Sequence, residues 1–173
     1  IALTGNPNSG KTTTFNALTG RTERVGNWAG VTVDKKESPI KKAYYNGKEP
    51  LVAVDLPGAY SMSPFTNEET VTRDYVINEN PDVIINIVDA TCIERSLYLT
   101  TQLLELDTKV IIALNMCDVL ESKGITIDEK ILSEKLHTTV IKISALKNTG
   151  IDTLIKTLKD NSFPSIIYIG GNT

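Results

Sequence analysis

Near its start the chain carries Gly5-Asn6-Pro7-Asn8-Ser9-Gly10-Lys11-Thr12, and this stretch follows the pattern G-x-x-x-x-G-K-[ST]. No other feature limits the fold as strongly. Gly5 and Gly10 let the backbone bend so that successive N–H groups converge on one anion. Lys11 can reach the β- and γ-phosphates of a nucleotide, and the Thr12 hydroxyl can hold Mg²⁺. The flanks agree. The apolar run Ile1-Ala2-Leu3 precedes the loop, and Thr13-Thr14-Phe15-Asn16-Ala17-Leu18 reads as a helix. A strand–loop–helix unit places the anion at a helix N-terminus, where unpaired N–H groups and the dipole favour it.

The rest of the chain alternates strand and helix signals. Ile1–Thr4 is the first strand. Residues 20–31 are polar and rich in Gly and Asn, which reads as a long loop. Val33 to Tyr45 reads as extended, and Asn46-Gly47 signals a hairpin into the strand Leu51–Val54. Further strands are expected at Val83–Val88, Val110–Leu114 and Thr139–Ile143. Helices are expected at Glu68–Ile77, Glu94–Leu106, Asp128–His137 and Ile151–Leu158. Val110–Leu114 lacks alternation, as in a strand covered on both faces. The order implies an α/β architecture: a mostly parallel six-stranded sheet, one antiparallel edge strand, and helices on both faces. Residues 1–160 read as one domain and 161–173 as a tail, with Ser165–Ile169 apolar and no evident partner.

With 173 residues and 40% hydrophobic content the chain can bury a full core. A net charge of −3 argues against nucleic acid as a partner. Cys92, Cys117 and His137 lack metal-ligand spacing, which reads as reduced cytosolic thiols without an iron site. No apolar run approaches the ~18 residues of a membrane span. The chain opens on Ile1 inside a strand, as expected of a piece of something longer.

Three further motifs fall just after strands, where ligands of such sheets bind. In Asp55-Leu56-Pro57-Gly58 the carboxylate can hold Mg²⁺ through water and the Gly58 N–H can sense the γ-phosphate. Asn115-Met116-Cys117-Asp118 parallels the guanine-reading pattern N-K-x-D, whose Asp accepts from the guanine N1–H and exocyclic amine. Met116 keeps the apolar stem of the usual Lys and loses its charge. Ser144-Ala145-Leu146 matches the base-contacting S-A-x loop, whose backbone N–H would meet the guanine carbonyl, and Lys147 beside it either covers the base or is a solvated loop lysine. Thr32, in Gly30-Val31-Thr32, stands where a switch threonine binds Mg²⁺ and the γ-phosphate, with Thr22 as its competitor.

Together these motifs resemble the N-terminal GTPase domain of the ferrous iron transport protein B (FeoB) family, a P-loop GTPase of Ras-like fold. GNPNSGKT at 5–12, RVGNWAGVTV at 24–33, DLPGAYSMSP at 55–64 and N-M-x-D at 115–118 carry the resemblance. NIVDAT at 86–91 and ERSLYLTTQL at 94–103 support it. The resemblance implies slow GTP hydrolysis with Mg²⁺ on Thr12, Thr32 and, through water, Asp55. It also implies K⁺ on Asn8, with Lys11, Thr32, Gly58 and Asn8 as the catalytic set. It implies a following helical domain and a membrane region for Fe²⁺ uptake, placed at the cytoplasmic face of the bacterial inner membrane, with oligomers through the full-length protein. Ala59 replaces the Gln that orients water in Ras-like proteins. Backbone groups, Glu68 or Glu69 are then candidates, against the reading of both as an acidic first helical turn. Arg21 and Arg24 are either fingers in cis or surface arginines, and Trp28 either anchors its loop or marks a partner surface. A soluble GTPase of the ribosome-assembly or tRNA-modification kind, and a non-catalytic guanine-nucleotide switch, remain the alternatives.

Overall fold

The structure is a computed structural model and describes residues 1–20 and 24–160. Arg21, Thr22, the Arg24 side chain and the expected segment Ser165–Ile169 lie outside the described residues. The elements run β1 (Ala2–Gly5), α1 (Lys11–Thr19), β2 (Arg24–Asn27), β3 (Asp34–Pro39), β4 (Val52–Asp55), α2 (Asn67–Asn78) and β5 (Val83–Asp89). After a 3₁₀ turn at Ala90–Cys92 come α3 (Ile93–Leu104), β6 (Lys109–Asn115), α4 (Cys117–Glu121), α5 (Glu129–Leu136), β7 (Val140–Ile143) and α6 (Ile151–Asp160). One sheet orders the strands β2-β3-β4-β1-β5-β6-β7. β1 pairs in parallel with β4 and β5, and β5–β6 and β6–β7 are parallel, whereas β3 pairs antiparallel with both β2 and β4.

Alternation along the central strands sends side chains to both faces of the sheet, where, among the described residues, they form three clusters. Ile85 and Ile87 of β5 and Ile111 and Ala113 of β6 meet Phe15 and Leu18 of α1 and the stripe Ile151, Leu154, Ile155 and Leu158 of α6. Ile84 and Val110 face Val76 of α2 and Leu99 and Leu103 of α3. Ile112 and Leu114 meet α4 and α5. Each buried aliphatic side chain contributes roughly 1.5–3 kcal/mol. The four buried residues of α6 therefore outweigh its polar composition. The polar exception is Asn86 on β5, whose amide donates to Thr4 Oγ1 at 3.2 Å and accepts from Thr100 Oγ1 at 2.5 Å. That network ties α3 to the root of the phosphate loop.

Two details differ from the sequence reading. The sheet has seven strands instead of six, because Arg24–Asn27 leaves the expected loop and pairs with Asp34–Glu37. Its four residues include Gly26 and lack an apolar period, so pairing with β3 makes the strand and local pattern does not. The edge is therefore β2, and the antiparallel β3 lies one place inside it. The β3–β4 connection also ignores Asn46-Gly47. Pairing stops after Ile40 N–H bonds Leu51 O at 2.8 Å, and Tyr44 and Tyr45 then turn back onto Lys41 O, each at 3.0 Å. Both tyrosines pack on the α1–α6 core, and that burial overrides the local turn preference.

Candidate nucleotide-binding site

The carboxyl ends of β1, β4 and β6, together with the loop after β7, bring the sequence motifs to one edge of the sheet. The loop from Gly5 to Thr12 wraps the N-terminus of α1. Gly10 sits at φ +93°, and a Cβ there would run into Asn115 Nδ2, so both backbone and neighbour demand glycine. Asn8 also takes a left-handed conformation, φ +64°, and its side chain is exposed. Ser9 N–H closes the turn on Asn6 O at 3.1 Å. Beneath the loop, both amide atoms of Asn6 and the Ser9 hydroxyl are buried without a protein partner. Polar atoms of that kind suit a bound polar group or ordered water.

Lys11 and Asp55 are 8% and 6% exposed and form an ion pair through Lys11 Nζ and Asp55 Oδ1. The other carboxylate oxygen accepts from Thr12 Oγ1 at 3.2 Å. The ammonium and hydroxyl expected to meet phosphate and metal thus converge on one carboxylate. Two adjoining cavities open here. One, of about 610 Å³, is lined by Asn6, Pro7, Asn8, Gly10, Thr13 and Gly58, and also by Glu69 and Tyr60. The second, of about 400 Å³, is lined by Thr12, Thr32, Asp55, Pro57 and Glu68. Residues with hydroxyl and carboxylate oxygens around one cavity form the hard donor set that Mg²⁺ takes, usually with one or two carboxylates and several waters. The residues present therefore fit that ion. Gly30 and Val31 share the loop of Thr32 and line neither cavity.

The Asp55–Gly58 segment is held tightly. Leu56 is buried in the α2–α3 core and its N–H donates to Leu3 O at 3.2 Å. Pro57 O accepts from Thr72 Oγ1 of α2 at 2.8 Å. Gly58 presses on the phosphate loop, where a Cβ would stand 3.0 Å from Pro7 N and Cγ. Ala59 is buried and its N–H is spent on Gly5 O at 3.0 Å, so neither its methyl group nor its amide faces the cavity chemistry. Glu69 is occupied by the helix cap: its N–H donates to Thr66 Oγ1 at 3.2 Å, and its carboxylate accepts from that hydroxyl at 3.4 Å. Glu68, exposed in the same first turn, lines both cavities. Sequence reasoning missed Thr72 and also Gln102, which accepts from Met62 N–H at 2.6 Å and Ser61 Oγ at 3.2 Å. The available signal was a glutamine beside Leu99 and Leu103 on the core-facing side of α3.

At the other end Asn115 is a brace. Its Nδ2 donates to Ser9 O at 3.0 Å and its Oδ1 accepts from Ala145 N–H at 3.1 Å. The Ala145 amide is thus committed to Asn115. Lys147 N–H turns to Ser144 Oγ at 3.3 Å, which leaves the amide of the exposed Leu146 at the loop tip. Met116, at φ +67°, lays its methyl group toward Gly10 and precedes α4 as its cap residue. Asp118 lies within the first turn of α4, and its carboxylate meets Lys147 Nζ at 2.9 Å. The hydrogen bond from Lys147 holds the Asp118 carboxyl below its usual range and raises the lysine in return. Asp118 is therefore an acceptor throughout the physiological range.

Comparison with known proteins gives one family. The sequence model described as ferrous iron transport protein B matches residues 1–158. The Fe(2+) transporter FeoB of Escherichia coli strain K12 is 45% identical over 158 residues, which cover 89% of this chain and 20% of that protein. The Salmonella typhimurium transporter is 44% identical over the same length. The chain therefore spans about a fifth of the curated relatives it matches. Among solved structures, a mutant of S. thermophilus NFeoB bound to GDP superposes with TM-score 0.83 at 53% identity, covering 90% of this chain and 59% of that one. The G domain of the T. maritima FeoB iron transporter gives 0.80 at 38% identity, covering 92% and 95%.

Proposed function

We propose, because this chain belongs to the ferrous iron transport protein B family, that it binds GTP with Mg²⁺ and hydrolyses it to GDP and phosphate. One observation carries the reading: Lys11 and Thr12 meet Asp55 at the N-terminus of α1, beside a loop whose residues line one cavity. On phosphate binding, the Lys11 ammonium transfers from Asp55 to the β- and γ-phosphates. Gly58, against Pro7, offers its N–H to the γ-phosphate. Thr12, Thr32 and Asp55, which line one cavity, would hold the metal. Bound there, Mg²⁺ neutralises charge developing on the transferred phosphoryl group. Water is placed by backbone groups or Glu68, since Ala59 is buried and Glu69 serves the helix cap.

Guanine is read by Asp118, with the Leu146 amide and the stems of Met116 and Lys147 around the base. A base that lacks the two donors leaves that carboxylate unsatisfied. The exposed Asn8 contributes a side-chain oxygen for K⁺ at the phosphates, a monovalent counterpart of an arginine finger. Residues 1–160 then form the G domain of a longer protein. Its nucleotide state regulates Fe²⁺ uptake through helical and membrane domains at the cytoplasmic face of the inner membrane. Among the described residues no helix is long and apolar enough to cross a membrane.

Phosphate release from GTP, measured at equal ionic strength in KCl and in NaCl, tests the reading. The expected result is a slow rate that KCl raises and that Asn8→Ala returns to its NaCl value. Equal rates in both salts would remove the K⁺ role, and no release in either would leave a nucleotide switch without hydrolysis.

A further inference from the structure

The hairpin of β2 and β3 closes over residues 28–33, and Thr32 stands in that loop. Most of the loop has little to hold it. Ala29, Gly30 and Thr32 are exposed, and Gly30 adopts φ +78°. Short, glycine-containing segments of this kind lose much backbone entropy when fixed. Trp28 is the exception. Its N–H donates to Val33 O at 2.9 Å and its carbonyl accepts from Val31 N–H at 3.2 Å, so the loop is cinched at its base. Its indole packs on the core formed by Val54, Leu56 and Val76. The ring meets Tyr75 of α2 edge-on, centroids 5.4 Å apart, and carries the Lys35 ammonium 4.8 Å above it. The indole Nε1 is buried without a partner, so packing and not a hydrogen bond seats the ring.

Thr32 lines the same cavity as Thr12 and Asp55. Tyr75 belongs to the helix that follows the Asp55–Gly58 segment. One side chain therefore links the loop that carries Thr32 to the element downstream of Gly58. We infer that Trp28 is a positioning residue: seated against Tyr75 and Lys35, it fixes the 28–33 loop so that Thr32 faces the phosphate and metal cavity. The inference rests on the nucleotide reading above. It answers the choice the sequence left open, in favour of an anchor over a partner surface.

The test is a double-mutant cycle read as affinity for labelled GDP and GTPγS at saturating Mg²⁺. Trp28→Ala should weaken GTPγS by about tenfold, in line with loss of one aromatic anchor, and leave GDP within about twofold. Trp28→Phe should recover most of the loss, and Tyr75→Ala should reproduce part of it. In a Thr32→Ala background, Trp28→Ala should cost nothing further, because Trp28 acts through Thr32. Equal weakening of both nucleotides would overturn the inference, as would losses that add across the cycle. If Trp28→Ala does not fold, the cycle of Tyr75→Ala with Thr32→Ala decides by the same criterion. A wild-type chain that binds neither nucleotide would instead overturn the nucleotide reading, and this role with it.

Discussion

Asn115→Ala isolates the brace that joins the phosphate loop to the base loop. The side chain is 4% exposed and makes two hydrogen bonds, at 3.0 Å to Ser9 O and 3.1 Å from Ala145 N–H. Truncation leaves that carbonyl and that amide unpaired in buried residues. An unsatisfied buried backbone group costs about 1–3 kcal/mol, so the pair costs roughly 2–6, and water entering the gap pulls the sum toward about 3. For a domain of this size about 3 kcal/mol lowers Tm by roughly 6–12 °C. Thermal unfolding of the nucleotide-free chain reads this directly. Labelled-GDP affinity should fall by about 10- to 100-fold, because both loops lose their common support. Asn115→Asp divides the effect. Its carboxylate still accepts from Ala145 N–H but turns an oxygen toward Ser9 O, so it too should lose affinity, through the phosphate loop alone. A Tm within about 2 °C of wild type, together with unchanged GDP affinity in Asn115→Ala, would refute the brace.

Two further outcomes follow from the same geometry. Ala59→Gln, which restores the residue of Ras-like proteins, should not accelerate phosphate release. Position 59 is buried, so the larger polar side chain should lower stability by about 1–3 kcal/mol in urea unfolding, and a faster hydrolysis rate would refute this. Lys147→Ala should move the Asp118 carboxyl back up toward 3.8, its ordinary value, as read by carboxyl-carbon NMR titration. The sign is that of a depressed acid: the pair contributes stability above the unfolded pKa, and that contribution fades as pH falls through the lower folded value. An Asp118 titration unmoved by the substitution would show that the exposed pair carries no coupling.

Local chemistry made the site legible and long-range chemistry hid its supports. The Gly5–Thr12 loop, Asp55, Gly58 and Asp118 stand out in the sequence because their motifs depend on spacing along a few residues. The brace made by Asn115 spans 106 positions to Ser9, and the contact of Gln102 with Met62 spans 40, so no window along the chain contains either pair. The same division holds for the fold. α6 shows its buried stripe at i, i+3, i+4 and i+7, and the structure places all four residues in the core. β2 shows nothing comparable, because its partner β3 supplies the reason for it to be extended. Asn46-Gly47 misled for the opposite reason: the local turn signal was real, but burial of Tyr44 and Tyr45 decided the path of the chain.

Asp55 gives the site a coupling that neither motif implies alone. Lys11 and Asp55 are both buried, so each needs the other's charge, and Thr12 completes the carboxylate. A phosphate that draws Lys11 away leaves Asp55 as an uncompensated carboxylate beside further negative charge. That arrangement is unfavourable unless a cation stands between them. A cation placed on Thr12 and Asp55 before phosphate arrives faces the Lys11 ammonium at close range, which is unfavourable for the same reason. Under the proposed function, phosphate and metal would therefore favour each other at this site through a single shared carboxylate. The coupling is reciprocal: whatever factor the metal adds to nucleotide affinity, the nucleotide must add to metal affinity.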